Sequence, residues 1–201
     1  MTAETFAYHD TLEQLNRNIP LAVKVRSVHD VLKSHLPFVT RIADSLYDSQ
    51  SDLVKTFVES SVAGQSLLSY QARLEEAPSL REILHTGLPR VVNDLGLFRQ
   101  GTHHHTQLIA RLGYAASYTM PMYYRGVFFG FLFFNSHEPE VFELPALHTL
   151  DIFGHLVSLV IIDELAKLRM LSGAVKAART FTLQRDRETG AHMDRMAKRR
   201  T

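Results

Sequence analysis

Residues 117–136 read SYTMPMYYRGVFFGFLFFNS, two apolar and aromatic runs on either side of Tyr-Tyr-Arg-Gly. Side chains of a strand alternate between its two faces, so runs with few polar residues are covered on both sides. The composition is that of a central β-hairpin, buried on both faces or covering a pocket. Its aromatic residues (Tyr118, Tyr123, Tyr124, Phe128, Phe129, Phe131, Phe133 and Phe134) are first of all core, divided between the two faces. One of those faces lines whatever pocket the fold contains.

Upstream of the hairpin, Thr102–Leu112 has a helical pattern, with Leu108, Ile109 and Leu112 as its apolar side. Before it, RVVNDL (90–95) reads as a brief extended piece after Pro89. SLREILHTGLP (79–89) reads as a short helix capped by Ser79, completed by Glu82 in a capping box and ended by Gly87. FVTRIADSLYD (38–48) and DLVKTFVES (52–60) flank a polar turn and predict a second hairpin. At the start, two helices are expected on either side of Pro20. The second carries Leu21, Val25, Val28, Val31 and Leu32 and is closed by Pro37.

Downstream, SHEPEVF (136–142) makes a turn and Pro145 stands in the first turn of a long helix, a position proline tolerates. That helix has a seven-residue repeat: Leu147, Leu150, Gly154, Val157, Ile161, Glu164, Leu168, Leu171, Val175 and Ala178 fall at a and d. Up to about Ile162 the same stripe also suits a helix lying on its own domain. Beyond that no domain is left to cover it, and a parallel dimer is expected.

The totals exclude several classes. With 201 residues, 45% hydrophobic and 21% charged, the chain has room for one globular domain and appended helices. A net charge of +1 gives no general case for nucleic-acid binding. Arg185–Arg200 holds six Lys/Arg against three Asp/Glu, which reads as a solvated face. There is no cysteine, which removes disulfides, thiolate metal sites, thiol nucleophiles and thioether-linked cofactors. No signal peptide is visible, and the unbroken apolar runs fall far short of the ~20 residues a bilayer requires. A cytoplasmic protein without membrane or nucleic-acid partners is expected.

The order helix, hairpin, helix, short strand, helix, central hairpin, long exit helix resembles a GAF domain over about residues 38–164. The phrases GLPRVVNDL, SYTMPMYYRGVFFGFLFFNS and HTLDIFGHLVSLVI carry the likeness. The resemblance implies an α+β fold: a central antiparallel sheet of about six strands, helices on both faces, a ligand-sized pocket, and a homodimer formed through N- and C-terminal helices. Residues 1–37 are then N-terminal helices and 165–184 a signalling coiled coil. The family's cyclic-nucleotide-binding members use an Asn-Lys-Phe-Asp-Glu set that is missing here, and haem is not expected. The ligand is an unidentified small molecule.

The last segment, 185–201, resembles the opening helix of HD-GYP domains, metal-dependent phosphodiesterases of cyclic di-GMP. Asp186, Glu188, Thr189, Gly190, His192 and Arg195 match its D-x-E-T-G-x-H-x-x-R pattern. The likeness implies that Glu188 and His192 belong to a divalent iron or manganese cluster in a full-length domain. The family's later His-Asp pair and Gly-Tyr-Pro signature do not follow, so this chain carries no complete catalytic set and no cofactor of its own. From spacing alone, Glu188 and His192 form a surface contact worth ~0.3 kcal/mol.

Three consecutive histidines, His103–His105, point about 100° apart on a helix and cannot converge on one ion. His148 and His155 are expected at the flank of the long helix. A pocket is expected between the central hairpin and residues 102–112, with Tyr118, Met120 and Phe131 as its floor. Tyr118 and Met120 share a face by alternation; placing Phe131 with them assumes a hairpin register. The competing reading is a dimerising spacer whose pocket its own aromatics fill.

Overall fold

A computed structural model describes residues 9–61, 71–98 and 112–197, with side chains as far as residue 172. The chain divides into two compact units, Met1–Ile161 and Ile162–Thr201. The first contains a six-stranded antiparallel sheet in the order β3-β2-β1-β6-β5-β4. Its strands are β1 (Arg41–Asp48), β2 (Leu53–Ser61), β3 (Gln71–Arg73), β4 (Arg90–Val92), β5 (Ala116–Tyr124) and β6 (Val127–Ser136). Among the described residues three α-helices accompany them: α1 (Leu21–His35), α2 (Pro78–Thr86) and α3 (Leu144–Ala197).

The central hairpin forms as its sequence predicts, and its turn explains its shape. Tyr124 pairs with Val127 across Arg125 and Gly126. Both turn residues have positive φ, 51° and 78°, the conformation in which a two-residue turn matches the twist of its strands. Between Met122 and Tyr123 the register shifts: Tyr123 opposes Phe128, whereas Met122 opposes Gly130. Phe129 is the extra residue. This bulge moves every later pair by one and so exchanges the faces of β6 relative to β5.

A second bulge lies in the other hairpin. Ala43 opposes Glu59 but Ser45 opposes Thr56, leaving Asp44 against two residues. The Asp44 carboxylate accepts a hydrogen bond from the Val58 amide at 3.0 Å, satisfying a donor that the bulge takes out of the ladder. Asp44 is only 1% exposed, and its second oxygen has no partner. Burial raises its pKa to about 8, opposed by the hydrogen bond from Val58, so the side chain is mostly protonated at neutral pH.

On one face of the sheet lie α1 and α3. His29 of α1, 2% exposed, bonds the Ser60 hydroxyl of β2 at 2.8 Å and the Val39 carbonyl at 3.1 Å, while His35 and Phe153 bring the two helices into ring contact. On α3, Leu150, Gly154, Val157 and Ile161 are buried. Gly154 permits the approach to the sheet: a Cβ there would collide with Met120 Sδ and touch Leu132. On the other face is α2, whose Leu80 and Ile83 pack with Phe131, Phe133, Val54, Leu74 and Ala77.

Several expectations change at this point. Leu150, Gly154, Val157 and Ile161 of the seam belong to the domain's own core, the reading that the stripe up to about Ile162 also allowed. Among the described residues before α1, from residue 9 on, Glu13–Asn16 forms a 3-10 turn in place of the expected α-helix. Ala77 stands at the N-cap of α2 with no side-chain bond, because Pro78 starts the helix; Ser79 and Glu82 therefore form no capping box. Gly87 ends it as expected, with φ 69°. His148 and His155 are exposed. Within Leu144–Ser172, α3 is long and apolar enough to cross a membrane by length and composition, which unbroken runs did not show; a share of that stretch is buried in the domain. Residues 102–111, with the three histidines, lie outside the described residues.

Candidate functional site

The sheet face that carries α2 has two unlike halves. Opposed residues of neighbouring antiparallel strands share a face, so the registers lay out rows across the sheet. One row runs Val92–Ser117–Asn135–Arg41–Ser61 and the next Arg90–Thr119–Phe133–Ala43–Glu59. A third runs Pro121–Phe131–Ser45–Thr56. The first two rows are rich in polar groups; the third merges with the apolar cluster beneath α2.

Most of those polar groups are buried, and several are bonded in series. Arg41 Nε lies 3.2 Å from Glu59 Oε1, with both side chains 3% exposed. Arg41 Nη1 donates to Asn135 Oδ1 at 2.7 Å, and Asn135 Nδ2 donates to Ser117 Oγ at 3.0 Å. The result is a chain from Glu59 through Arg41 and Asn135 to Ser117 across four strands, β2 to β5. Burying such an ion pair is costly unless each charge is compensated, and here Glu59 and Asn135 share the guanidinium. The Arg41 guanidinium carbon stands 5.9 Å from the Tyr114 ring centroid. Burial pushes the Tyr114 hydroxyl's pKa up, offset by its hydrogen bond with Ser61. Arg90 is half-buried, and desolvation lowers its pKa against the opposing influence of Glu82.

The three expected floor residues do not form one surface. Tyr118 and Met120 do share a face, but it is the face of α3. The Tyr118 hydroxyl donates to Asp151 Oδ1 at 2.5 Å, and its ring lies between Phe134 and Phe142. Burial raises the Tyr118 pKa most, and the bond to Asp151 raises it further. Phe131 opposes Pro121 and belongs to the opposite face, with Phe128 and Phe133. Had the turn register continued without the Phe129 bulge, Met120 would have opposed Phe131.

Arg41, Glu59, Asn135 and Ser117 were missed as a group. The one signal was Asn135, an amide closing the apolar run GFLFFN; Arg41 stands in FVTRIADSL among other polar residues and does not stand out. Among the described residues no cluster of three His, Cys, Asp or Glu could hold a metal. The side chains of Glu188 and His192 lie outside the described residues.

The family model described as "GAF domain" matches residues 26–161. That span begins inside α1, earlier than residue 38. No curated protein matches the chain. Among solved structures, the GAF domain of a Coxiella burnetii phosphoenolpyruvate-protein phosphotransferase is similar at TM-score 0.61 and 14% identity, over 78% of this chain and 91% of that one. The corresponding domain of an Acinetobacter phosphotransferase gives 0.58 and 14%, over 78% and 90%. The phycocyanobilin-bound GAF domain of a cyanobacterial phytochrome gives 0.59 and 14%, over 78% and 94%. At such identity the likeness is one of fold.

Proposed function

This chain belongs to the GAF domain family, and from that premise we propose that it is a ligand-sensing regulatory domain whose output leaves through α3. The observation that carries the reading is the double use of β5. Its Ser117 and Thr119 belong to the polar floor beneath α2's side of the sheet, while the alternate residues Tyr118 and Met120 hold α3 through Asp151 and Gly154. A small molecule that displaces the floor by a fraction of an ångström acts on the same strand that seats the helix. Two helix arrangements of unequal ligand affinity would then exchange population.

The output is proposed to be an HD-GYP phosphodiesterase of cyclic di-GMP in the full protein, supported by the match of Asp186, Glu188, Thr189, Gly190, His192 and Arg195 to that family's opening helix. Glu188 and His192 would contribute to its iron or manganese cluster there. The 201 residues themselves hold no later His-Asp pair, and no hydrolysis of cyclic di-GMP is expected from them. The working form is proposed to be a homodimer. Its helix surface differs from the one periodicity suggested: Ile152 and Leu159 are 70% and 64% exposed, seven residues apart and roughly opposite Gly154 on the helix. Leu168 and Leu171, 47% and 64% exposed, lie on the seven-residue stripe of Gly154 and Ile161, away from the Ile152–Leu159 line.

Native mass spectrometry of the purified chain tests both halves of the proposal. The expected result is a dimer mass with a retained or exchangeable small molecule. A dimer that takes up no small molecule from any metabolite mixture leaves a spacer that only pairs chains, and a monomer removes the proposed route of output.

A further inference from the structure

Among the described residues, the sheet face that seats α1 and α3 holds one buried carboxyl, Asp44. By register, Met120, Leu132 and Asp44 form a row on that face, since opposed residues of antiparallel neighbours point the same way. Gly154 of α3 stands over the first two, where a Cβ on it would meet Met120 and Leu132. The adjacent row is Tyr118–Phe134–Ile42–Ser60, and both helices are anchored in it: Tyr118 to Asp151 of α3, Ser60 to His29 of α1. Asp44 is thus one row from each anchor, with fully buried Ile42, Leu132 and Phe134 as its neighbours in register. One of its oxygens accepts from the Val58 amide that the bulge sets free, and the other has no partner. A charge there would need water, and water reaches this face of the sheet when the helices over it lift.

The other titratable groups of the face are engaged elsewhere. On α1, His29 holds Ser60 and Val39, Lys24 holds the Leu15 carbonyl, and Arg26 and Asp30 are exposed. On α3, Asp151 holds Tyr118, and the buried stripe Leu150, Gly154, Val157, Ser158 and Ile161 carries no titratable group. On β2, Lys55 is exposed. Burial raises the Asp44 pKa to about 8, opposed by the amides of Val58 and of Asp44 itself. The closed face therefore keeps the proton up to that pH, whereas an opened face exposes an ordinary carboxyl that ionises above about 4. Between those values the ratio of open to closed climbs about tenfold per pH unit, and it levels once the closed form ionises too. His29, whose pKa burial lowers, pulls in the opposite sense and only below about pH 6.5. Tyr118, raised by burial, adds nothing until about pH 10.

We propose that Asp44 is a proton-operated latch on α3: the helix, as far as Ile161, keeps its seat while this carboxyl holds its proton and is released as the proton leaves. This goes beyond ligand sensing and does not depend on it. The proton is a second input, and the same helix is the output.

Amide hydrogen exchange of the full chain between pH 6.5 and 9, corrected for base catalysis, tests the latch in the wild type and in Asp44→Asn. In the wild type, protection over Leu150–Ile161 is expected to fall about tenfold per pH unit up to about pH 8 and to level above it. In Asp44→Asn the same amides should hold constant protection throughout, and those of α2 should be constant in both proteins. Circular dichroism establishes that the variant is folded; if it is not, the levelling of the wild-type profile near pH 8 decides by itself. Constant protection in the wild type, a fall without levelling, or an equal fall in Asp44→Asn overturns the proposal. So does a fall that α2 shares in step, which would make Asp44 a determinant of the whole fold and no latch. None of these outcomes touches the ligand-sensing reading, which retention of a small molecule tests separately.

Discussion

Replacing Asp44 by Asn should make the domain more stable at neutral pH and slightly less stable in acid. Asp44 is 1% exposed and its pKa stands at about 8 in the fold, against 3.8 for an ordinary aspartate. A carboxyl whose folded pKa is raised contributes stability that is complete below about pH 4 and is lost as the pH climbs through the folded pKa. The unfolded chain ionises freely above pH 4, whereas the fold must keep the proton. Each pH unit across that window is worth ~1.4 kcal/mol, so the wild type gives up about 4 kcal/mol by pH 7. Asparagine never ionises. Its Oδ1 can still accept from the Val58 amide, the bond that measures 3.0 Å in the wild type. Its Nδ2 takes the place of an oxygen that has no partner, adding one further unsatisfied hydrogen at a cost of ~1 kcal/mol. The two effects cancel near pH 4.5, and at pH 7.5 the variant should be more stable by roughly 3–4 kcal/mol. Urea denaturation of both proteins at several pH values, at equal m-value, measures the difference. A stability gap that does not grow between pH 4.5 and 7.5 would refute the argument, since it would mean that Asp44 is ionised in the fold and stabilised by something else.

Three further outcomes follow from the seating of α3 and its outward surface. Gly154→Val should destabilise the domain by about 1–3 kcal/mol through overpacking against Met120, and adding Met120→Ala should return part of that in a double-mutant cycle. Tyr118→Phe removes the bond to Asp151 and should cost about 1–2 kcal/mol in urea denaturation, with faster amide exchange in the first turns of α3. Ile152→Lys with Leu159→Lys should dissociate the proposed dimer in light scattering with little change in the urea midpoint, because both side chains are exposed. An intact dimer would place the interface on Leu168 and Leu171 or elsewhere.

How much of this was legible in the sequence depended on the range of the cause. Gly87, Pro145 and the Arg125-Gly126 turn act within a few residues, and the elements they bound were readable. The order of the two hairpins and the number of strands followed from composition and from the family likeness. Bulges were not readable. Phe129 on β6 and the extra residue opposite Asp44 on β2 each change a register by one residue without changing any local pattern, and a single such shift moved Phe131 to the face opposite Tyr118 and Met120. Strand β3, three residues long and paired only at the sheet edge, is too short to show a period. The seven-residue repeat of α3 was real, yet a stripe of that spacing does not say whether it meets a sheet or another helix. Gly154 was the clue, since a glycine in the stripe marks a place where something approaches closely.

The alternation along β5 also bears on how such a domain can change over generations. Odd-numbered positions 117 and 119 face the floor, and even-numbered positions 118 and 120 face the helix. Under the proposed function, recognition and transmission would therefore be written in separate letters of one nine-residue word. Drift at the odd letters can retune what is sensed while the even letters keep the same mechanical output. A library randomised at Ser117, Thr119 and Asn135 would explore new inputs without disturbing the Tyr118 and Gly154 contacts. The one change that cannot be confined to either function is an insertion or deletion in the strand, which would swap the two alphabets at a stroke.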